Sequence, residues 1–326
     1  MNSKYNYIIA GGYGFFKVAY YDLFSLPNVA YYSTYIDGIN SKVKQLLIRL
    51  NFNLKLGGIF RPLLHTLVYP WLFPHSFRSD MPLCFVFFET QFAVINTGYM
   101  EYLRKKYPTA KMVLYMQDIV ASLPYYNIES YKRRFDIILS YDKGDCKRYG
   151  LIYYPTPYSR IDETKLPVVK DEGIDVFFCG AGKTRYPAIF DIYKKCTGKG
   201  LKCKFFLTGV PHEKRIDGEG LVYDHPLSYE ENLAYVVKSK CILEIMQEHA
   251  DGFTPRLWEA IMFDKHLLTN NTSIRESNYW YSEAIHLVSD CGENFEFINQ
   301  QVLFPEEIKK SKSPVNLLEC IENRFL

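Results

Sequence analysis

The chain has 326 residues, enough for two domains of about 150 residues each, and 48% of them are apolar and 23% charged, as in ordinary globular proteins. A net charge of +3 is too small for a protein whose main partner is nucleic acid, so no nucleic-acid partner is expected. The eight cysteines form no C-x-x-C pair and no zinc-finger spacing with histidine, which indicates reduced cytosolic thiols without a metal.

The sequence carries no signal for secretion or for a membrane span. The N-terminus leads into an apolar run that ends in glycines, without the small-residue cleavage site of a signal peptide. The longest uncharged apolar stretch, 62–77, contains three prolines and is shorter than the roughly 20 residues that cross a bilayer. A cytoplasmic location is therefore expected.

Short apolar runs alternate with segments of helix length along the chain, a pattern typical of parallel βαβ units. In the first half the predicted strands are 7–10, 29–32, 84–88, 112–117, 136–140 and 151–154. A proline-rich segment without periodicity, 154–173, predicts a linker. Beyond it the predicted strands are 175–179, 203–208, 221–223, 241–246 and 266–269, and the predicted helices are 186–197, 229–239 and 255–263.

These elements predict an α/β fold of two Rossmann-like domains that face each other across a cleft. The expected domains are 1–160 and 161–310. The closing segment, 311–326, is expected to form a helix that packs back across both.

The first glycine loop follows the first predicted strand and contains Gly11, Gly12 and Gly14. Glycines allow a tight turn and a close approach of the backbone to a ligand. A dinucleotide fingerprint needs a further glycine where Lys17 stands, which weakens a nicotinamide-binding interpretation. The loop is predicted to line the cleft, with a plain strand-to-helix turn as the alternative.

The second glycine loop ends strand 175–179 and contains Gly180, Gly182, Lys183 and Arg185. It is not a Walker A loop, because Phe177 stands where that motif needs its first glycine. Two glycines and two cations at the start of a helix suit a diphosphate. A solvated loop is the alternative.

The segment 248–262 contains a predicted helix start that is followed closely by an arginine and a glutamate. Thr254 can cap a helix whose first residue is Pro255, so the amides at its start and Arg256 form an anion site. Glu259, one turn further, can accept hydrogen bonds from ribose hydroxyls. The alternative is an ordinary amphipathic helix with Glu259 on its surface.

This segment resembles the nucleotide-sugar glycosyltransferases of the GT-B fold, in which an acidic residue stands eight positions before a glutamate that is followed by alanine and a strand. Asp251 and Glu259 have that spacing. The T-x-R-x-x-E-A pattern from Thr254 to Ala260 is similar to bacterial polysaccharide glycosyltransferases, as are residues 135–142 and 229–232. The resemblance implies that Glu259 binds the ribose and that Asp251, beside Gly252, faces the donor sugar or its phosphates.

The sequence departs from the family at two points. Asp251 stands where retaining enzymes usually have glutamate, which leaves inversion or retention of the anomer open. Phe263, Asp264 and Lys265 stand before the next strand, where the family usually has a small residue and a glycine.

Two acidic residues, Glu89 and Asp118, follow predicted strands of the first half. Because ligands of open α/β sheets bind at the carboxyl ends of the strands, either could deprotonate an acceptor hydroxyl, or could simply cap the next helix. No D-x-D triplet occurs. Donor phosphates are therefore expected to be neutralised by Arg256, Lys183 and helix dipoles, without a metal or another cofactor.

Residues 41–78 combine cations with large apolar side chains, and no acidic residue occurs from 38 to 79. This composition is typical of segments that contact anionic lipid head groups. Contact with a membrane surface is expected, with a basic oligomer interface or a solvated face as the alternatives.

Together these features predict a metal-independent hexosyltransferase. Domain 161–310 would bind a nucleotide-diphosphate sugar, with UDP favoured, and domain 1–160 would bind a saccharide acceptor, expected to be lipid-linked and part of bacterial surface polysaccharide synthesis. The protein would be cytoplasmic and peripheral to the membrane. The alternatives are an NAD(P)-dependent Rossmann oxidoreductase and a catalytically silent nucleotide-sugar-binding protein.

Overall fold

The computed structural model describes residues 3–52, 65, 67–89, 97–122, 127–246 and 253–325. The chain divides after Ser159 and after Lys312 into two compact units. The first unit consists of residues 1–159 and 313–326, and the second of residues 160–312. Each contains one six-stranded parallel sheet, which confirms the predicted α/β fold of two Rossmann-like domains.

The first sheet has the strand order β2-β1-β3-β4-β5-β6. Its register places Ile8 of β1 opposite Ala30 of β2 and Phe85 of β3. The strands are β1 (Asn6–Ala10), β2 (Val29–Tyr32), β3 (Leu83–Phe88), β4 (Lys111–Met116), β5 (Ile137–Ser140) and β6 (Ile152–Tyr153). The helices are α1 (Phe15–Ala19), α2 (Lys42–Phe52), α3 (Thr97–Lys106), α4 (Ile128–Lys132), α5 (Lys143–Tyr149) and, after the second unit, α11 (Val315–Arg324).

The apolar composition of the strands explains why they lie in the centre of the unit. Every residue of β1 is buried, and so are the last five residues of β3 and of β4. Parallel strands that are covered on both faces have this continuous apolar character. The last helix, α11, is tied to β1 by a hydrogen bond of 3.0 Å from the Tyr7 hydroxyl to the Glu322 carboxylate.

The second sheet has the order β12-β11-β10-β7-β8-β9. Its edge strand β12 was not predicted from the sequence. The strands are β7 (Ile174–Ala181), β8 (Cys203–Thr208), β9 (Leu221–Tyr223), β10 (Ser239–Glu244), β11 (His266–Thr269) and β12 (Ile285–Leu287). The helices are α6 (Tyr186–Gly198), α7 (Tyr229–Lys238), α8 (Pro255–Met262), α9 (Val288–Cys291) and α10 (Glu306–Ser311).

The strand order creates one switch point in each sheet. In the first, β1 lies between β2 and β3, and in the second, β7 lies between β8 and β10. Ligands of open α/β sheets bind outside the carboxyl ends of the strands at such points. A ligand is therefore expected either beyond the carboxyl ends of β1 and β3 or beyond those of β7 and β10.

The turn after α8 places an aspartate in the left-handed region of backbone conformation. Asp264 adopts a positive φ of 53°, a conformation that asparagine and aspartate accept more readily than most residues. Its carboxylate accepts hydrogen bonds of 2.8 Å from the Phe304 amide and from Lys309 Nζ. These contacts offset the backbone cost of the turn.

Candidate functional site

The site in the second unit begins at the N-terminus of α8. Thr254 is the N-cap, and its hydroxyl oxygen accepts a hydrogen bond of 3.2 Å from the Arg256 amide while Pro255 occupies the first turn. The same hydroxyl donates to Glu244 at the end of β10. The other carboxylate oxygen of Glu244 accepts a hydrogen bond of 2.6 Å from the hydroxyl of Thr269, the last residue of β11.

Glu244 thus fixes the start of α8 to the carboxyl ends of two strands. It is 2% exposed. Sequence reasoning missed it, although a lone carboxylate that closes an apolar strand was an available signal.

Glu259 lies one turn inside α8 and is 3% exposed, which does not fit a surface glutamate on an ordinary amphipathic helix. Its Oε1 accepts hydrogen bonds from the Tyr229 hydroxyl at 2.8 Å and from Asn232 Nδ2 at 3.1 Å. Burial raises the pKa of Glu259, and the charge of Arg256 together with these two hydrogen bonds opposes the rise.

The partners of Glu259 come from the first turns of α7. That helix starts with a capping box, in which the Glu231 amide donates to the Ser228 hydroxyl at 3.2 Å and the Ser228 amide donates to the Glu231 carboxylate at 2.7 Å. The cap sets where Tyr229 and Asn232 project. Residues 229–232 were singled out in the sequence, but no role was predicted for either side chain.

Two arginines converge at the carboxyl end of β7. Arg256 Nη2 donates to the Cys179 carbonyl, and its guanidinium lies 5.2 Å from the centre of the Phe178 ring. Arg185 donates to the Ala181 carbonyl and, over 2.6 Å, to the Ile245 carbonyl after β10. The two guanidinium groups therefore lie at the switch point of the sheet.

The arginines are like charges held close together. Burial and the charge of Arg256 both lower the pKa of Arg185. Among the described residues no ion pair joins either guanidinium to a carboxylate. The hydrogen bonds found there use two of the five donors of Arg185 and one of those of Arg256. Two adjacent cations with spare donors form a site for an anion with several charged oxygens.

Gly180 provides the space in which the arginines meet. A Cβ atom at this position would lie 2.6 Å from Arg256 Nη2 and 3.8 Å from Arg185 Nη2. The absence of a side chain is therefore a condition for the arrangement of Arg256.

Replacing Gly180 with alanine should displace the Arg256 guanidinium and weaken the binding of inorganic pyrophosphate by about tenfold or more, the range expected when a charge-assisted hydrogen bond is lost. Isothermal titration calorimetry gives the affinity. Gly198→Ala is the matched control, since a Cβ there meets no atom within 4 Å. Equal affinities in Gly180→Ala and the wild type would contradict this role of Gly180.

The other predicted donor residues differ in their placement. Gly182 packs against Val210, whose Cγ2 would lie 2.6 Å from an added Cβ. Lys183 is exposed, has a positive φ of 42°, and forms a 3-10 turn with Arg185. Asp251 and Gly252 lie outside the described residues. In the part of the chain that is described, no group of three or more His, Cys, Asp or Glu side chains could hold a metal ion.

No protein-family model matches this chain, and no curated protein sequence matches it. Among solved structures, a putative UDP-N-acetylglucosamine 2-epimerase from Listeria monocytogenes is similar, with a TM-score of 0.51 and 13% identity over 99% of this chain and 97% of that one. The likeness shows the fold alone.

Two further solved structures are less similar. An alpha-glucosyltransferase in complex with UDP and a 13-mer DNA has a TM-score of 0.48 and 13% identity, covering 96% of this chain and 89% of that one. The UDP-GlcNAc 2-epimerase of Methanocaldococcus jannaschii, in complex with UDP-GlcNAc and UDP, has a TM-score of 0.46 and 13% identity, covering 97% of this chain and 99% of that one.

The first glycine loop, at the edge of the other sheet, is closed by a tyrosine. The Tyr31 hydroxyl accepts a hydrogen bond of 3.0 Å from the Gly12 amide and donates one of 2.9 Å to the Gly12 carbonyl. A Cβ at Gly11 would lie 2.3 Å from the Tyr31 hydroxyl. Gly14 has a positive φ of 59° and begins a helix of only five residues. Because Tyr31 occupies the Gly12 amide, the loop offers little to the pyrophosphate of a dinucleotide.

Glu89 and Asp118 lie after neighbouring strands, β3 and β4, at the same edge. Glu89 is completely buried and accepts a hydrogen bond of 2.7 Å from the Gln117 amide, whereas Asp118 is exposed. Burial raises the pKa of Glu89 to about 7, and the charge of Asp118 adds to the rise while the backbone hydrogen bonds oppose it. Of the two carboxylates, Asp118 is the one that can meet a substrate from solvent.

The raised pKa of Glu89 predicts a pH-dependent contribution to stability. The folded protein keeps the proton between pH 4.5 and about 7, where the unfolded chain has released it, so the free energy of unfolding should fall by about 3 kcal/mol as the pH rises through this window. Chemical denaturation of the wild type and of Glu89→Gln across this range isolates the effect as a difference. Two parallel stability curves would contradict the prediction.

Proposed function

We propose that this chain is a glycosyltransferase that moves a hexose from a nucleotide-diphosphate sugar, with UDP as the favoured nucleotide, to a saccharide acceptor. The observation that carries the proposal is that Arg185 and Arg256 meet at the switch point of the second sheet, while the buried Glu259, whose pKa burial raises and the charge of Arg256 lowers, lies on the same helix as Arg256. The arginines suit the diphosphate and Glu259 suits the ribose hydroxyls.

The proposed donor-side chemistry follows from charge. When the bond between the anomeric carbon and the diphosphate oxygen breaks, negative charge develops on the leaving diphosphate. Arg185, Arg256 and the N-terminus of α8 stabilise that charge without a metal. Lys183 and Gly252 are proposed to complete the donor site, and Asp251 is proposed to face the donor sugar or its phosphates, as the family resemblance implies for that residue.

The proposed base on the acceptor side is Asp118. The acceptor hydroxyl oxygen attacks the anomeric carbon while an exposed carboxylate takes its proton, and the nucleoside diphosphate leaves with the bonding electrons. Glu89 is buried behind the same strand ends, accepts a hydrogen bond from the Gln117 amide, and is proposed not to contact substrate. Gly11, Gly12 and Gly14 are proposed to lie on the acceptor side.

The acceptor is proposed to be a saccharide on a lipid carrier, used in bacterial surface polysaccharide synthesis at the cytoplasmic face of the membrane. The support is the basic and apolar composition of residues 41–78 and the T-x-R-x-x-E-A pattern of α8. Within the described ranges no helix combines the length and apolar character that crossing a membrane requires.

A ligand panel tests the proposal. UDP and UDP-sugars should raise the melting temperature of the protein, GDP and dTDP should do so less, and NAD should have no effect. Stabilisation by NAD alone would favour the oxidoreductase alternative. Release of UDP from a UDP-sugar in the presence of acceptor separates a transferase from a silent nucleotide-sugar-binding protein.

A further inference from the structure

Helix α2 is apolar on two opposite faces. Its inner face consists of Ile48 and Phe52, which are buried in the core of the first unit, together with the buried Asn51. A helix at the surface of a globular protein normally has a polar face opposite such a stripe.

The outer face of α2 lacks that polar character. Val43 is 68% exposed and Leu46 57% exposed, and Leu50, one helical turn beyond Leu46, is half-buried. These positions follow each other at spacings of three and four residues, so they form one stripe along the helix. Leu67, in the segment that follows, is also exposed.

Cations border this apolar stripe. Lys42, Lys44 and Arg49 are all exposed. Lys44 Nζ lies 5.0 Å from the centre of the Trp71 ring, which places an aromatic side chain beside the start of the helix. Since residues 38–79 contain no acidic side chain, nothing within this segment neutralises these charges.

We infer that the outer face of α2, defined by Lys42, Val43, Leu46, Arg49 and Leu50, docks onto an anionic lipid bilayer. Leucine and valine enter the boundary between head groups and acyl chains while lysine and arginine contact the anionic head groups. The inference deepens the proposed function, and only its purpose, access to a lipid-linked acceptor, rests on that function.

The charges favour a bilayer over a second copy of the chain. A symmetric dimer brings the same patch of two molecules together. Here that would place Lys42 and Arg49 of both copies at one interface without an acidic partner from the segment. A lipid surface carries the complementary charge.

Vesicle co-sedimentation of the full-length protein tests the inference. The wild type should bind vesicles of phosphatidylcholine mixed with phosphatidylglycerol, bind pure phosphatidylcholine weakly, and lose most of the difference at high salt. Lys42→Gln with Arg49→Gln should weaken binding to the anionic vesicles by about 25-fold, since each cation contributes about fivefold. Val43→Ser with Leu46→Ser should weaken it by about tenfold or more.

Two matched pairs control for net charge and for surface apolarity. Lys214→Gln with Lys238→Gln removes two exposed cations of the second unit, and Val168→Ser with Leu303→Ser removes two exposed apolar side chains there. Both pairs should bind vesicles as the wild type does. Circular dichroism of the α2 variants checks that they remain folded.

Three results would overturn the inference: no preference of the wild type for anionic vesicles, equal binding by the α2 variants and their matched controls, or a dimer that the α2 variants break while vesicle binding persists. Failure of the proposed function gives a different result. In that case Glu259→Ala and the wild type would bind UDP equally poorly while vesicle binding stayed intact.

Discussion

Replacing Glu259 with alanine is expected to weaken the binding of UDP by about 100-fold. The carboxylate can accept about four hydrogen bonds, and its contacts with Tyr229 and Asn232 use two of them. The remaining capacity suits two ribose hydroxyls. Hydrogen bonds to a charged group contribute about 1.5–3 kcal/mol, so losing one or both accounts for an effect of this size.

Calorimetric titration with UDP and with uridine checks this expectation. Both ligands contain the ribose, so Glu259→Ala should weaken both by a similar factor. Glu259→Gln, which keeps the volume and loses the charge, should fall between the alanine variant and the wild type. The exposed Glu307→Ala is the control and should bind as the wild type does. An unchanged dissociation constant for UDP in Glu259→Ala would count against the assignment of the ribose site.

Replacing Arg256 with methionine should weaken UDP binding by about 100- to 1000-fold, because the loss of one partner of a buried charge-assisted contact costs about 2–5 kcal/mol. Uridine, which has no phosphate, should bind within about twofold of the wild type. Arg256→Lys should recover only part of the affinity, since lysine keeps the charge but lacks the planar fork of donors.

The ratio of UDP affinity to uridine affinity therefore separates the two groups. It should collapse in Arg256→Met and stay near the wild-type value in Glu259→Ala. Arg133→Met, which removes an exposed arginine of the first unit, should leave both affinities unchanged. If Arg256→Met weakened UDP and uridine equally, Arg256 would act through the structure of α8 and not through the diphosphate.

The sheets could be predicted from the sequence because fully buried parallel strands are continuous apolar runs. Strands such as β3 and β4 stand out for this reason. The start of α8 was predictable because Thr254 and Pro255 form a local capping signal that needs no distant partner.

The contacts that build the site depend on the tertiary fold and could not be predicted from local patterns. Arg185 and Arg256 are far apart in sequence, and they meet only because β7 and β10 are neighbours in the sheet. The same holds for Glu244, which joins Thr254 and Thr269, and for Tyr31, which closes the first glycine loop. In both glycine loops the space next to a glycine is taken by a side chain of this chain, Tyr31 in the first loop and Arg256 in the second.

Lys183 and Arg185 illustrate the limit of a composition argument. Both are cations in one loop, and the sequence predicts the same phosphate contact for both. In the structure Arg185 is partly buried at the switch point, while Lys183 is exposed on a strained turn. Burial, which depends on the whole domain, distinguishes them.

A crystal structure of the protein with UDP tests the proposed donor site most directly. The expected result places ribose hydroxyls within hydrogen-bond distance of the Glu259 carboxylate and diphosphate oxygens on the guanidinium groups of Arg185 and Arg256. UDP bound elsewhere on the second unit, with these three side chains turned away from it, would contradict the proposal.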